Sequence, residues 1–533
     1  MKKDEKKELR SILFRHLDGI AITPTVNALH QKGICNYILN NPEFNFKDIS
    51  NHYKTNDGYL NVALRLLSSQ GWLKRNITID GKQINFLLTK KGRLMFSLSG
   101  YYASFSKFIP ILINIDNYLF NIKYQYKYKD LFSLFDKFQS IRADLENSDL
   151  STWEMIKHIE GITLGPLIVS LGMSKFFTEY LETGKPIDHS ITNKFPIIKH
   201  IIDLFTMIKW IQNNQFTEEG IFFMKRASAY GVTVSYLPTF NNVSELLYGN
   251  PNILWKKTND NLETHVNRRM NVWGSGGAHT LYFKKIDEII TNIFNQPLEK
   301  QPVGIADMGC GDGTLLKHLH KIITTKTLRG KHLENHPIKI IGADYNKAAR
   351  IASNITLKKA GIEHSILSGD ISDPQSYAKK LKEKFDLDIR KMLNVRSFLD
   401  HNRIYTIPVN SFNDRTCNST GAFSYRGRWI PNNELKQNLV EHFLSWKVHI
   451  GNFGLLILEL HTIDPNLASK HIGNTIATAY DGTHGYSDQY IFEIETMLAA
   501  ADEAGLSADQ NHQIQYPNKD ISTISINLFK PKS

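Results

Sequence analysis

Val303-Gly304-Ile305-Ala306-Asp307-Met308-Gly309-Cys310-Gly311-Asp312-Gly313-Thr314-Leu315-Leu316-Lys317-His318-Leu319 decides the fold of this chain. It reads as a short apolar strand ending on an acid, a Gly-x-Gly-x-Gly turn, and a helix that starts at once. Glycines let the backbone turn tightly and approach a ligand with no Cβ in the way. Downstream, Ile338-Lys339-Ile340-Ile341-Gly342-Ala343 is a second strand ending at Asp344-Tyr345, and a third leads to Gly369-Asp370-Ile371. Strands alternating with helices predict a parallel, Rossmann-like α/β sheet from residue 303 onward.

The loop also says what kind of ligand it holds. A dinucleotide fingerprint, Gly-x-Gly-x-x-Gly, cradles a pyrophosphate. Here the third glycine comes one residue early, and Asp307 would repel a pyrophosphate while welcoming a cation. Asp344 stands where an acid accepts ribose hydroxyls. Asp370 is placed to meet an adenine amino group, with Ile371 against the ring. Together these residues resemble motifs I, II and III of class I S-adenosylmethionine-dependent methyltransferases. The resemblance covers residues 303–533, and in it Ile521 to Phe529 looks like the antiparallel last strand of a seven-stranded sheet. It implies S-adenosylmethionine as cofactor, held by Asp307, Gly309, Gly311, Gly313, Asp344, Tyr345, Asp370 and Ile371.

Upstream, the run from Tyr59 to Leu73 is apolar at helical spacing and stopped by Gly71. Ile77 to Ile79 and Ile84 to Leu88 flank Asp80-Gly81, a hairpin signal. Helices closed by a hairpin make a winged-helix-like domain over 1–96. An echo follows: Leu88-Thr89-Lys90-Lys91-Gly92 against Phe216-Thr217-Glu218-Glu219-Gly220, each after a tryptophan, Trp72 or Trp210. Either a second winged-helix-like unit lies within the helical region 97–262 or the match is coincidence. Residues 263–302 read as a lid or linker to the cofactor site.

Three further blocks flank the cofactor motifs: Arg268 to His279, Val395 to Arg403, and Glu459-Leu460-His461-Thr462. With Tyr480 to Tyr490, they resemble the metal-dependent loading-module C-methyltransferase domains of polyketide synthases, of apratoxin and gephyronic acid type. That resemblance implies methylation of the α-carbon of a malonyl-type acyl group on an acyl carrier protein, with a metal bound by His461 and Gln489. Carbon becomes a nucleophile as an enolate, whose charge a Lewis acid stabilises, and imidazole with oxygen donors suits iron or manganese. His461 is otherwise a satisfied polar tip at a strand end. His484, near Asp481 among glycines, is either a base or part of an ordinary closing loop. Arg396 follows the fourth strand, beside His401, and either fixes a substrate carboxylate or pairs with Asp400. Arg269 and His279 belong to the lid, and Trp273 to it or to plain core.

Composition bounds the alternatives. At 533 residues the chain expects two to four domains. It has 41% hydrophobic and 22% charged residues, ordinary for folded protein. Residues 108–120 are apolar but short and interrupted by Asn114, Asp116 and Asn117, so no membrane span is expected. Three scattered cysteines make no pairing framework or CxxC site, which fits the cytoplasm. Lysine and arginine exceed aspartate and glutamate by 64 to 52, a net +12, read either as a pull on an acidic partner or as a solvated surface. Two other readings stand beside C-methylation. One is a small-molecule O-methyltransferase, metal-free and homodimeric through its winged helices. The other is a nucleic-acid binder, disfavoured because the helix near residues 57–70 carries only Arg65 as a base.

Overall fold

The computed structural model describes residues 1–78, 81–146, 150–188, 190–259, 263–412 and 416–532. Ile79 and Asp80 of the expected hairpin lie outside the described residues, as does the side chain of His279. Among the described residues no helix is long and apolar enough to cross a membrane.

The N-terminal half is helical. Helix α1 (Lys3–Gln31) runs through its centre, with everything from His16 to Val26 buried. Strand β1 (Glu43–Asn45), α2 (Asp57–Ser69), β2 (Leu73–Ile77) and β3 (Ile84–Leu88) make the first winged unit, with β3 between β1 and β2. The sequence echo is a structural repeat. Thr89 Oγ1 accepts from Gly92 N at 2.9 Å, and Thr217 Oγ1 accepts from Gly220 N at 3.2 Å. Each threonine caps a short helix. Its backbone N–H donates to a tryptophan carbonyl, Trp72 at 3.1 Å or Trp210 at 2.9 Å. A Cβ on either glycine would strike that same carbonyl, at 2.0 and 2.3 Å, so only glycine fits both places. The second unit has a two-residue wing, Ile211–Gln212 against Gln215–Phe216.

Helix α3 (Arg268–Phe294) replaces the expected lid and linker by one continuous element. Its C-terminal half drives Phe283, Ile286, Ile290 and Phe294 into the core on one face of the sheet. That sheet holds β4 (Gly304–Met308), β5 (Lys339–Asp344), β6 (Ser365–Ser368), β7 (Leu393–Ser397), β8 (Leu455–Leu460), β9 (Leu506–Ala508), β10 (Ile514–Tyr516) and β11 (Ile524–Pro531). The order is β6-β5-β4-β7-β8-β11, with β9 and β10 both on the outer edge of β11. β11 runs antiparallel to β8, and the strands before it are parallel. The seven expected positions are present. The last is split into β9 and β10 because the short turn Gln510–His512 interrupts the edge. A second core, built on Leu435, Leu439, Phe443 and Trp446, covers the other face.

Helix α2 is no surface recognition helix. Every residue from Gly58 to Ser69 is buried, beneath the 423–430 hairpin and helix α4 (Ala477–Gly485). Its single base, Arg65, reaches out of the winged unit into the sheet domain. Nε bonds Asp481 Oδ2 at 2.9 Å, and NH2 donates to Thr462 Oγ1 at 2.7 Å and to the Ile463 carbonyl at 2.6 Å. NH1 reaches the Thr420 carbonyl. The duplex-binding reading was disfavoured because this helix offers a single base, and that base is committed to the sheet domain.

Removing one partner from a buried, hydrogen-bonded ion pair strands the other charge. Arg65→Met is expected to lower unfolding stability by about 3–5 kcal/mol, measured by urea denaturation. A loss no larger than that of an exposed substitution would contradict this account of the interface.

Candidate active site

The glycine turn places its residues for two different jobs. Gly309, Gly311 and Gly313 have φ of +83°, +54° and +81°, a region that side chains rarely enter. A Cβ at Gly313 would lie 2.7 Å from Ser353 Oγ, so this glycine serves the packing of its helix. At Gly311 a Cβ would meet no protein atom within 4 Å. Gly311 faces a cavity of about 1080 Å³ that is also lined by Asp307, Gly309, Ser397, Phe398, His401, His484 and Gln489. A single small-molecule site is roughly 300–1,000 Å³, so there is room for a cofactor and an acceptor together.

Asp307 is the unusual group at the floor. It is 1% exposed, and its Oδ1 has no hydrogen-bond partner. Burial, and then the neighbouring Asp344 carboxylate, push its pKa up to about 8. Asp344 is also raised by burial, although its Oδ2 accepts from Gly311 N at 3.2 Å and its Oδ1 from Asn346 N at 2.7 Å. The orphaned oxygen of Asp307 beside the open Gly311 fits the ammonium end of S-adenosylmethionine, while Asp344, off the cavity lining, braces the turn through Gly311 N. The remaining expected contacts lie beyond the cavity lining. Tyr345 is 77% exposed. Asp370 Oδ1 is engaged by Ser372 N at 2.9 Å. The Ile371 carbonyl accepts from Trp446 Nε1 at 2.7 Å.

On the acceptor side the structure redistributes the expected roles. His401 Nδ1 lies 2.6 Å from Glu459 Oε1, and its backbone N–H donates to Glu459 Oε2 at 3.2 Å. This partner fixes the tautomer: Nδ1–H donates to the carboxylate, and Nε2 is the acceptor nitrogen. Asn402 Nδ2 stands 3.2 Å from that Nε2. The ring of His484 meets that of His401 edge-on, centroids 5.0 Å apart. His484 Nδ1 donates to the Tyr480 carbonyl at 2.9 Å, and burial, then His401, lower its pKa to about 3. His484 is thus at the site as a neutral imidazole.

Arg396 and His461 are not at the cavity. Arg396 is buried, bonded through NH1 to Asp400 Oδ1 at 2.5 Å and stacked 3.9 Å over Trp446. The structural ion pair is the arrangement adopted, because successive strand residues point to opposite faces and Ser397 takes the cavity side. His461 spends both nitrogens inside the protein, Nδ1 on the Phe492 carbonyl at 3.0 Å and Nε2 on Ser525 Oγ at 2.7 Å. Gln489 does line the cavity, with Nε2 donating to Tyr236 OH at 3.2 Å and Oε1 unpartnered. The donor pair expected for iron or manganese is therefore not brought together. Among the described residues no group of three His, Cys, Asp or Glu is placed to hold a metal ion. Asp481 is bound to Arg65, and Trp273 abuts Gly172 and Gly231. Glu459 was the residue the sequence reading passed over. Its signal was its place on the fifth parallel strand, one residue before the cavity-facing Leu460.

Asp307→Ala is expected to abolish measurable cofactor binding in calorimetry without lowering the melting temperature, because the side chain removed is a buried acid lacking a full set of partners. Unchanged affinity would refute this assignment of the loop.

The family described as AprA MT2-like domain matches residues 263–527, with the AprA N-terminal domain at 9–75 and the AprA winged helix domain at 160–250. The last of these covers the second winged unit rather than the first. No curated protein matches the chain. Among solved structures, the apo S-adenosylmethionine-dependent methyltransferase SibL is 12% identical, over 72% of this chain and 100% of its own, at a TM-score of 0.41. An O-methyltransferase family protein from Burkholderia thailandensis is 11% identical, over 72% and 99%, at 0.39. An O-methyltransferase family 2 protein from Planctomyces limnophilus, solved with apigenin, is 10% identical, over 97% and 95%, at 0.40. These structural likenesses are loose, and the assignment rests on the family matches. The chain is an S-adenosylmethionine-dependent methyltransferase built from AprA-type N-terminal, winged helix and MT2-like domains.

Proposed function

We propose that this enzyme methylates the α-carbon of a malonyl-type acyl thioester on an acyl carrier protein, using the His401–Glu459 dyad as its base. The dyad is the observation that carries the reading. A carbon acid must give up a proton before it can attack, and an imidazole paired with a buried carboxylate is suited to take it. S-adenosylmethionine, when bound, supplies the electrophilic methyl group. His401 Nε2 accepts the acceptor's proton, and Glu459 stabilises the imidazolium that results. Glu459 is held for this by the Leu460 N–H at 2.7 Å as well as by both donors of His401. His484, kept neutral, packs against the base and presents no competing charge. Helix α3 and the N-terminal turns of α1 line the same cavity.

The AprA MT2-like match supports the thioester acceptor, through the resemblance to loading-module C-methyltransferases. The same dyad would serve a hydroxyl, which keeps small-molecule O-methylation as the second reading. No step is assigned to iron or manganese, because His461 is committed to Phe492 and Ser525.

The test is incubation of the protein with labelled S-adenosylmethionine and malonyl carrier protein, with and without added iron or manganese, followed by the mass of the carrier. A gain of one methyl group independent of metal is expected. His401→Gln and Glu459→Gln should each lower turnover by about 10²- to 10⁴-fold while leaving cofactor affinity in place. No mass gain under any metal would move the assignment to the O-methyl reading. Full turnover by both variants would remove the dyad from the mechanism.

A further inference from the structure

The cavity has a second charged end, which the chemistry above does not use. Lys3, Lys6, Lys7 and Arg10 all line it, spaced i, i+3, i+4 and i+7 along α1, so they form a single face of that helix. Phe14, one further turn along, lines the same wall. At about 1.5 Å per residue the stripe from Lys3 to Phe14 covers roughly 16 Å. All four bases are exposed, and among the described residues none of them is ion-paired. Arg226 adds to the charge beside Arg10. Of the other charged groups on the lining, Arg268 is paired with Glu263 at 2.6 Å, Asp307 and Asp312 belong to the cofactor turn, and Asp4 is the one acid among the four bases.

We propose that this stripe is an anion subsite. It receives a phosphate carried by the methyl acceptor at the far end of an extended arm, while the acyl end of the arm reaches His401. The proposal rests on the thioester reading, in which the acceptor hangs from phosphopantetheine. Four cations on one wall of the cavity that also holds His401 attract a phosphate and pull the arm into register with the dyad. An uncharged acceptor would have no use for them. Both a carrier protein and coenzyme A present this phosphate.

Calorimetry on the full-length protein saturated with S-adenosylhomocysteine tests the subsite without turnover. 4′-Phosphopantetheine is expected to bind at least about tenfold more tightly than pantetheine. Lys6→Glu/Lys7→Glu should erase that difference, and Asp4→Asn should widen it. Holo carrier protein and coenzyme A, titrated in the same way, identify the source of the phosphate, since the one it serves will lose affinity in the double variant. Equal binding of phosphopantetheine and pantetheine by the wild type, or an unchanged difference in the double variant, would overturn the subsite. A phosphate-dependent affinity with no methyl transfer to any thioester would uphold the subsite and instead overturn the thioester reaction.

Discussion

A buried acid with one unpartnered oxygen governs this molecule's cofactor loop. Asp307 ends the first strand of the sheet in a position closed to solvent, with one oxygen unpartnered and a second acid close by. Burying a charge without a partner is costly, and the group responds by holding its proton. The contribution of Asp307 to the stability of the free protein is therefore greatest below the ordinary carboxylate range and is lost progressively as pH rises to about 8. A ligand with a positive end relieves the conflict. The open Gly311 leaves room for that end beside Asp307, and Asp344 holds the turn in place through the Gly311 N–H.

The N-terminal half is part of the same catalytic body. Arg65 crosses from the winged unit to hold Thr462 and Asp481, and Asp481 lies on the short helix that also carries His484. Helix α1 supplies one wall of the cavity, and α3 spans from that wall to the sheet core. Winged-helix architecture serves here as a fixed roof. Its would-be recognition helix is buried between a hairpin and α4.

The cofactor half was legible in the sequence because it depends on local geometry. Three glycines at positive φ and an acid at a strand end leave a signature in consecutive residues, and the threonine–glycine echo did the same for the two winged units. The acceptor half depends on which face of a strand a side chain takes and on partners distant in sequence. Arg396 stands on the expected strand but points away, toward Trp446. His461 sits at a strand end but is consumed by Ser525 across the antiparallel pairing with β11. The dyad joins residues 401 and 459, and no spacing rule links them. The cationic stripe was visible as lysines at the start of the chain, yet only the packing of α1 shows that they look into the site.

The most direct measurement of the central claim is the proton balance of cofactor binding. Calorimetry of S-adenosylmethionine binding near pH 7, in buffers of different ionisation enthalpy, counts the protons exchanged. A carboxylic acid with a pKa of about 8 must ionise to meet a cation, so release of roughly one proton per cofactor is predicted, declining as pH rises past 8. Binding with no proton release at pH 7 would contradict the account.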